Sequence, residues 1–244
     1  MSIDYSYHNQ DRLRRAKSWL QQADKQESDE AAFLFYWIAF NAAYGRVERQ
    51  DENEKRLFAK FSRQIVFCDE EKIKTALNSI YSEIRKLTQN RHTYEPFWRA
   101  IRGDKIKSRY EETNWKTHLK KTNKKLQTNW SRDSKNDKGH QQGIIGVIRE
   151  ALIRIYTLRN QLIHGGTTFG SASLGDEQLV IGRKIMEAIL PPIIEIIGQD
   201  IERQPDTNKW GTVAYPRYKN HPISNIPIYH AINPAESESK DPPH

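Results

Sequence analysis

Between Gly143 and Gly166 the chain reads GIIGVIREALIRIYTLRNQLIHGG. Within it Ile144, Ile148, Ala151, Ile155, Leu158 and Leu162 recur at intervals of four, three, four, three and four. That is the period of one helix face packed against a partner; a strand would alternate every second residue. At about 100° per residue, Ile153, Tyr156 and Asn160 fall on another side. A helix apolar on more than one side is expected to be buried by more than its own subunit's core. Gly165 and Gly166 follow the last periodic residue and supply a stop signal. The rest of the chain must pack around this helix.

Arg159, Asn160 and His164 stand just before the stop. Asn160 and His164, four apart, share a face one turn above the other. Arg159 is rotated about 140° from His164, but its side chain is long enough to reach round. Arginine offers a planar cationic fork suited to phosphate. Histidine titrates near neutral pH and can take or give a proton. An amide can orient either one. A cation and a proton carrier with no carboxylate nearby suit cleavage of RNA by its own 2′-hydroxyl, with the arginine steadying charge on the phosphate. There is a plainer reading of the same residues. Cations in the last turn of a helix are favoured by the macrodipole alone, and an asparagine near a helix end often satisfies a loose carbonyl.

RNQLIHGG resembles the motif of the HEPN superfamily, in which an Arg is followed after four to six residues by a His, often with Asn directly after the Arg. Here the gap from Arg159 to His164 is four residues. FLFYWIAFNAAYG, Phe33 to Gly45, resembles the first long helix of the Apea-like branch of that superfamily. The resemblance covers roughly residues 10–200 and implies an all-α, HEPN-like antiparallel helical bundle that dimerises, with the two Arg–His motifs meeting across a cleft. Many members are metal-independent endoribonucleases of defence or toxin–antitoxin systems; others are inactive binding or partner modules. The resemblance thus implies catalytic roles for Arg159, Asn160 and His164, RNA as substrate, a homodimer, and an antitoxin or other defence-system partner. It implies no cofactor or metal. Gly166 stands where some toxin branches carry a tyrosine that an antitoxin modifies, and offers no such acceptor.

The charge pattern points the same way. The 244 residues carry a net charge of +8. From Arg99 to Lys138 there are thirteen Lys and Arg against five acids, so this block holds the whole excess. Such a block is the footprint of a phosphate-backbone partner. Lys116, Lys120, Lys121, Lys124 and Lys125 are the candidate RNA-binding residues, and Trp98, Tyr110, Trp115 and Trp130 are interleaved with the cations. Aromatics so placed can stack on unpaired bases, but they read better as packing inward. Trp115, Leu119, Leu126 and Trp130 fit one helix face.

The remaining chain is mostly helical in period. Residues about 9–25 form one amphipathic helix. Ser28, Asp29 and Glu30 cap and open a second, which runs to about Tyr44 and is apolar nearly all round, hence central. Asn41 is its odd amide and needs a partner, since burying it unpaired costs a few kcal/mol. That partner is a neighbouring helix or, functionally, Arg159 or His164, which Asn41 would support from behind. Further helices are expected over about 53–66 and 69–88. Gln89–Pro96 reads as a loop, with Arg91 and His92 at the surface, and Ser131–Gln142 as a polar linker. Thr167–Gly175 is a small-residue loop beside the motif. A last helix spans about 177–203, kinked or split by Pro191 and Pro192.

Seven of the ten prolines lie from Pro205 onward. The expected domains are therefore a helical domain over 1–204, with a basic insertion at about 97–142, and an irregular Pro-rich extension over 205–244 with a disordered tail. No histidine has metal-ligand spacing. A single cysteine, Cys68, fits a reducing compartment. The chain lacks an apolar signal core and any run near the ~18 residues of a membrane span, so a cytoplasmic location without membrane contact is expected. Two other functions fit the composition. One is a non-catalytic module of the same fold that binds RNA or a partner protein. The other is a DNA-binding bundle, for which no helix-turn-helix pattern appears.

Overall fold

The computed structural model describes residues 3–45, 53–102, 115–131, 137–164 and 174–213. The chain is all-helical: the described residues contain nine α-helices and no strand. These are α1 (Tyr5–Ala23), α2 (Asp29–Tyr44), α3 (Glu54–Cys68), α4 (Glu70–Ser79), α5 (Tyr81–Gln89), α6 (Glu95–Arg102), α7 (Trp115–Trp130), α8 (Asp137–Ile163) and α9 (Leu174–Arg203). None is long and apolar enough to cross a membrane.

Caps explain several boundaries. Ser28 accepts from the Ala31 amide at 3.1 Å, Asn53 from Lys55 at 2.9 Å and Asp69 from Lys72 at 2.9 Å, each quieting an amide that has no helical partner. α1 and α2 pack antiparallel: Trp19 stacks on Phe35 near the short connection, and Arg12 reaches the carbonyl of Ala43 at the far end. α2 is central. Phe33, Tyr36, Trp37 and Phe40 are all buried, as its all-round apolar sequence requires. In α8 the periodic face Ile144, Ile148, Ala151, Ile155 and Leu158 is buried, and Leu162 at its end is half-buried.

Four features differ from those the sequence suggests. The expected helix over 69–88 breaks at Ile80 (φ −128°, ψ 19°), which closes α4 and opens α5. The apolar period hides the break because Ile73, Leu77, Ile80, Ile84 and Leu87 are all still buried. The polar stretch before α8 is not a linker throughout, since α8 already begins at Asp137. Its first turns are polar because they meet the acidic start of α4: Gln141 donates to Glu70 at 3.0 Å, and His140 lies 3.9 Å from the same carboxylate. α9 runs unsplit through Pro191 and Pro192. An internal proline costs about 3 kcal/mol. Against that, Ile189, Leu190, Ile193, Ile194, Ile196 and Ile197 are buried around the pair, each worth roughly 1.5–3 kcal/mol. Within the expected loop 89–96, Arg91–Thr93 forms a 3-10 turn and Glu95 already opens α6.

The segment after α9 joins the same compact unit, which extends to Ala214. Trp210 is buried and donates to Asp200 at 2.9 Å. Arg12, wholly buried, fastens the segment: one nitrogen donates to Ala43 and Gly45 carbonyls (2.9 and 2.7 Å), the other to the Trp210 carbonyl (2.8 Å). Gly211, at φ 68°, makes the turn that follows in a region side chains disfavour. The expectations for Tyr110, for most of the Thr167–Gly175 loop and for the chain after Val213 lie outside the described residues.

Candidate functional site

α8 delivers the motif to its own C-terminal end. Arg159 is half-buried, its guanidinium 5.8 Å from the Trp37 ring centre. Its Nη1 donates to Asn160 Oδ1 at 2.9 Å. Its Nε is buried and, among the described residues, has no hydrogen-bond partner. One turn on, the His164 amide closes the helix on the Asn160 carbonyl at 3.0 Å, and the imidazole is exposed. The end of α8 is held from outside by Gln161, which donates to the His92 carbonyl in the 3-10 turn. Further back, buried Arg154 donates to Glu150 at 2.8 Å and lies 4.4 Å from the centre of the Tyr94 ring. That contact ties the middle of α8 to the same turn.

Asn160 and His164 line one cavity of about 580 Å³. Its opposite wall comes from α3 (Glu54, Phe58) and α6 (Glu95, Trp98, Arg99). Arg159 stands beside this cavity rather than in its lining, behind Asn160 and against Trp37.

The wall brings in two carboxylates that the motif does not contain, so the expectation of no carboxylate nearby is wrong. Glu54 accepts from the Tyr44 hydroxyl. Burial raises its pKa, and the charge of Arg159 offsets this only in part. Glu95 moves the other way. Burial alone would raise it, but hydrogen bonds and charge from Lys55 (2.6 Å) and Arg99 outweigh burial and hold it below the usual carboxylate range. Among the described residues no hydrogen bond or ion pair joins the His164 side chain to either carboxylate. Both glutamates lie far from the motif in sequence, and Asn53 before Glu54 reads simply as a helix cap. Ile153 and Tyr156, with Asn160 on the second side of α8, are the signal in the sequence that this side faces something, and all three line the cavity.

Among the described residues, the α2 side chain that meets Arg159 is Trp37, one turn before Asn41. Asn41 is half-buried, and no hydrogen bond joins it to Arg159 or His164 among those residues. Lys116, Lys120, Lys121, Lys124 and Lys125 are all exposed on α7, while Leu119 and Leu126 face inward. The tryptophans of this region pack inward, at least in part. Trp115 meets Phe97 edge-on at 5.0 Å and Trp130 stacks on Tyr81 at 4.5 Å. α7 lies along α8, starting near Phe97, the neighbour of cavity residue Trp98.

No family model, curated protein or solved structure matches this chain. The functional reading therefore rests on the residues themselves. Among those described, no group of three or more His, Cys, Asp or Glu is placed to hold a metal ion.

Proposed function

We propose that this chain is a HEPN-type endoribonuclease that cleaves RNA by attack of the 2′-hydroxyl, without a metal ion. The observation that carries the reading is the shared cavity of Asn160 and His164, with Arg159 hydrogen-bonded to Asn160 at its edge. In the reaction the 2′-oxygen bonds to phosphorus and the bond to the 5′-oxygen breaks. A 2′,3′-cyclic phosphate and a 5′-hydroxyl result. One proton leaves the 2′-hydroxyl and one reaches the departing oxygen; His164, exposed to substrate, carries one of these transfers. Arg159 stabilises the charge that builds on the phosphate, and Asn160 fixes the direction of its guanidinium. The α7 lysines hold the RNA backbone.

The protein acts as a cytoplasmic homodimer in a defence or toxin–antitoxin system, where an antitoxin or other partner protein restrains it. Trp19 and Ile38, each 36% exposed, and Ile163, 49% exposed, are apolar side chains that a second subunit would cover. Covering of these side chains by another protein also fits the second reading, a non-catalytic module that binds RNA or a partner protein. Incubation with tRNA and single-stranded RNA in EDTA separates the two. Cleavage by wild type and not by His164→Ala, leaving cyclic phosphate ends, is the expected result. RNA binding without cleavage by either protein would replace the enzyme with the binding module.

A further inference from the structure

A second cavity, of about 270 Å³, lies between α5, α7 and α8. Val147 of α8 lines it, seventeen residues before His164. At 1.5 Å per residue the two sites stand about 25 Å apart along one helix. This cavity is therefore separate from the one at the motif.

Its lining has three kinds of group. Ile84, Leu126 and Val147, all buried, make an apolar floor. Arg85, Lys120 and Lys124 bring three cations to it, and among the described residues none of them pairs with a carboxylate. Asn123 supplies a buried amide oxygen that has no hydrogen-bond partner among the described residues. Such an atom is costly to leave unpaired. At the edge Tyr81 lines the cavity and is stacked face to face on Trp130 (interplanar angle 11°), so α5 and α7 are braced together there.

We propose that this cavity binds one nucleoside phosphate. Arg85, Lys120 and Lys124 receive the phosphate, the apolar floor takes the base, and the amide of Asn123 meets a polar atom on the base edge. The volume is near the lower end of ligand pockets, roughly 300–1,000 Å³. It suits one nucleotide unit and is too small for two. Three unpaired cations favour an anion, and the floor and the orphaned amide distinguish a nucleotide from inorganic phosphate. The nucleotide comes either free from solution or as one unit of an RNA strand lying along α7. The proposal is independent of the cleavage chemistry, because nothing in this cavity involves Arg159 or His164, but it shares Lys120 and Lys124 with the RNA-backbone role proposed for α7.

The test is calorimetric titration of the full chain carrying His164→Ala, so that no RNA is consumed. The probes are the four 5′-mononucleotides, inorganic phosphate and a short single-stranded RNA. Each is repeated with Arg85→Glu added, and again with Asn123→Ala added. Arg85 is exposed on α5, so its reversal leaves folding intact, which circular dichroism checks. A mononucleotide that binds more tightly than phosphate, and is weakened about tenfold or more by Arg85→Glu, establishes a site for free nucleotide. RNA bound with that sensitivity, and mononucleotides not bound, assigns the site to a unit of the strand. In either case Asn123→Ala weakens binding of the nucleotide and leaves that of phosphate unchanged. The proposal is overturned if Arg85→Glu changes neither RNA nor nucleotide binding, or if phosphate binds as tightly as every nucleotide.

Discussion

Arg159 and Asn160, adjacent in sequence, are joined side chain to side chain by a 2.9 Å hydrogen bond at the edge of the cavity that Asn160 shares with His164. Consecutive residues on a helix diverge by about 100°, so this contact exists only because the guanidinium folds back. The Trp37 ring lies beside the folded-back guanidinium, its centre 5.8 Å away. The bond gives Asn160 a task that can be separated from that of His164. Asn160→Ala is expected to lower RNA cleavage at saturating substrate about tenfold or more, with unfolding free energy changed by less than about 0.5 kcal/mol, as for other partly exposed sites. Arg159→Lys should not preserve activity, because an ammonium lacks the planar fork. Single-turnover kinetics beside urea unfolding would check both. A large stability loss with normal cleavage would make the pair a helix-end brace.

The two cavity glutamates predict opposite pH effects on stability. Glu54 is raised above its ordinary value of 4.5 by burial. The unfolded chain therefore ionises this group first. Its contribution is fully present below pH 4.5 and is lost as pH climbs through the folded pKa. Glu95 is lowered from the same value. Its contribution is present above pH 4.5 and is lost as pH falls through the folded pKa. Glu54→Gln should therefore gain on wild type as pH rises from 4 toward neutrality, by about the amount its burial withholds, and Glu95→Gln should lose. Urea unfolding across that range reads both differences. Equal, pH-independent offsets for the two variants would contradict these environments.

These glutamates also mark where the sequence stops being readable. The motif lies within six residues of one helix, so periodicity alone puts Asn160 and His164 on one face. The helical character of the chain was legible for the same reason: apolar residues three and four apart need no knowledge of their partner. Glu54, Glu95 and Trp37 reach the site through contacts more than sixty residues away in sequence, and nothing local to them signals it. The start of α8 was hidden differently. His140 and Gln141 look like linker residues until Glu70 is beside them. α9 misled because a proline's local cost is visible in sequence, whereas the burial that offsets it is not.

Arg12 carries a structural burden out of proportion to one side chain. It is fully buried, and it is shared by the end of α2 and the segment around Trp210. Arg12→Ala strands the carbonyls of Ala43, Gly45 and Trp210, at roughly 1–3 kcal/mol for each acceptor left dry. The expected loss is about 3 kcal/mol or more, read by urea unfolding. Protease sensitivity should rise first near Trp210. A loss under about 1 kcal/mol would mean that water replaces the guanidinium without penalty.

Two glycines on helices should respond in opposite ways to alanine. At Gly182 an added methyl carbon would stand 2.7 Å from a Leu158 methyl and 3.0 Å from the Phe33 ring. Alanine gains about 1 kcal/mol in helix propensity, but overpacking a filled core costs about 1–3 kcal/mol. Gly182→Ala is thus expected to be net destabilising. Leu158 precedes Arg159, so cleavage should fall with it. At Gly139 nothing among the described residues lies within 4 Å of the added carbon, and alanine should stabilise by up to about 1 kcal/mol. Thermal unfolding of the pair decides the matter, and a stabilised Gly182→Ala would show that the α2–α8–α9 junction is looser than described.

The α7 lysines distinguish an RNA track from a solvated helix face. Lys116, Lys121 and Lys125 are exposed and lie outside both cavities. A lysine that neutralises a phosphate of single-stranded RNA contributes about 0.7 to the slope of log affinity against log salt. Alanine at one such position should therefore weaken binding by a similar factor for every RNA sequence and flatten that slope by about 0.7. Anisotropy titrations from about 50 to 200 mM salt resolve a change of this size. Equal slopes for wild type and all three variants would leave the helix a solvated face and move RNA contact elsewhere. A sequence-dependent loss would instead mean that a lysine reads bases, which an ammonium on a flexible stem is poorly built to do.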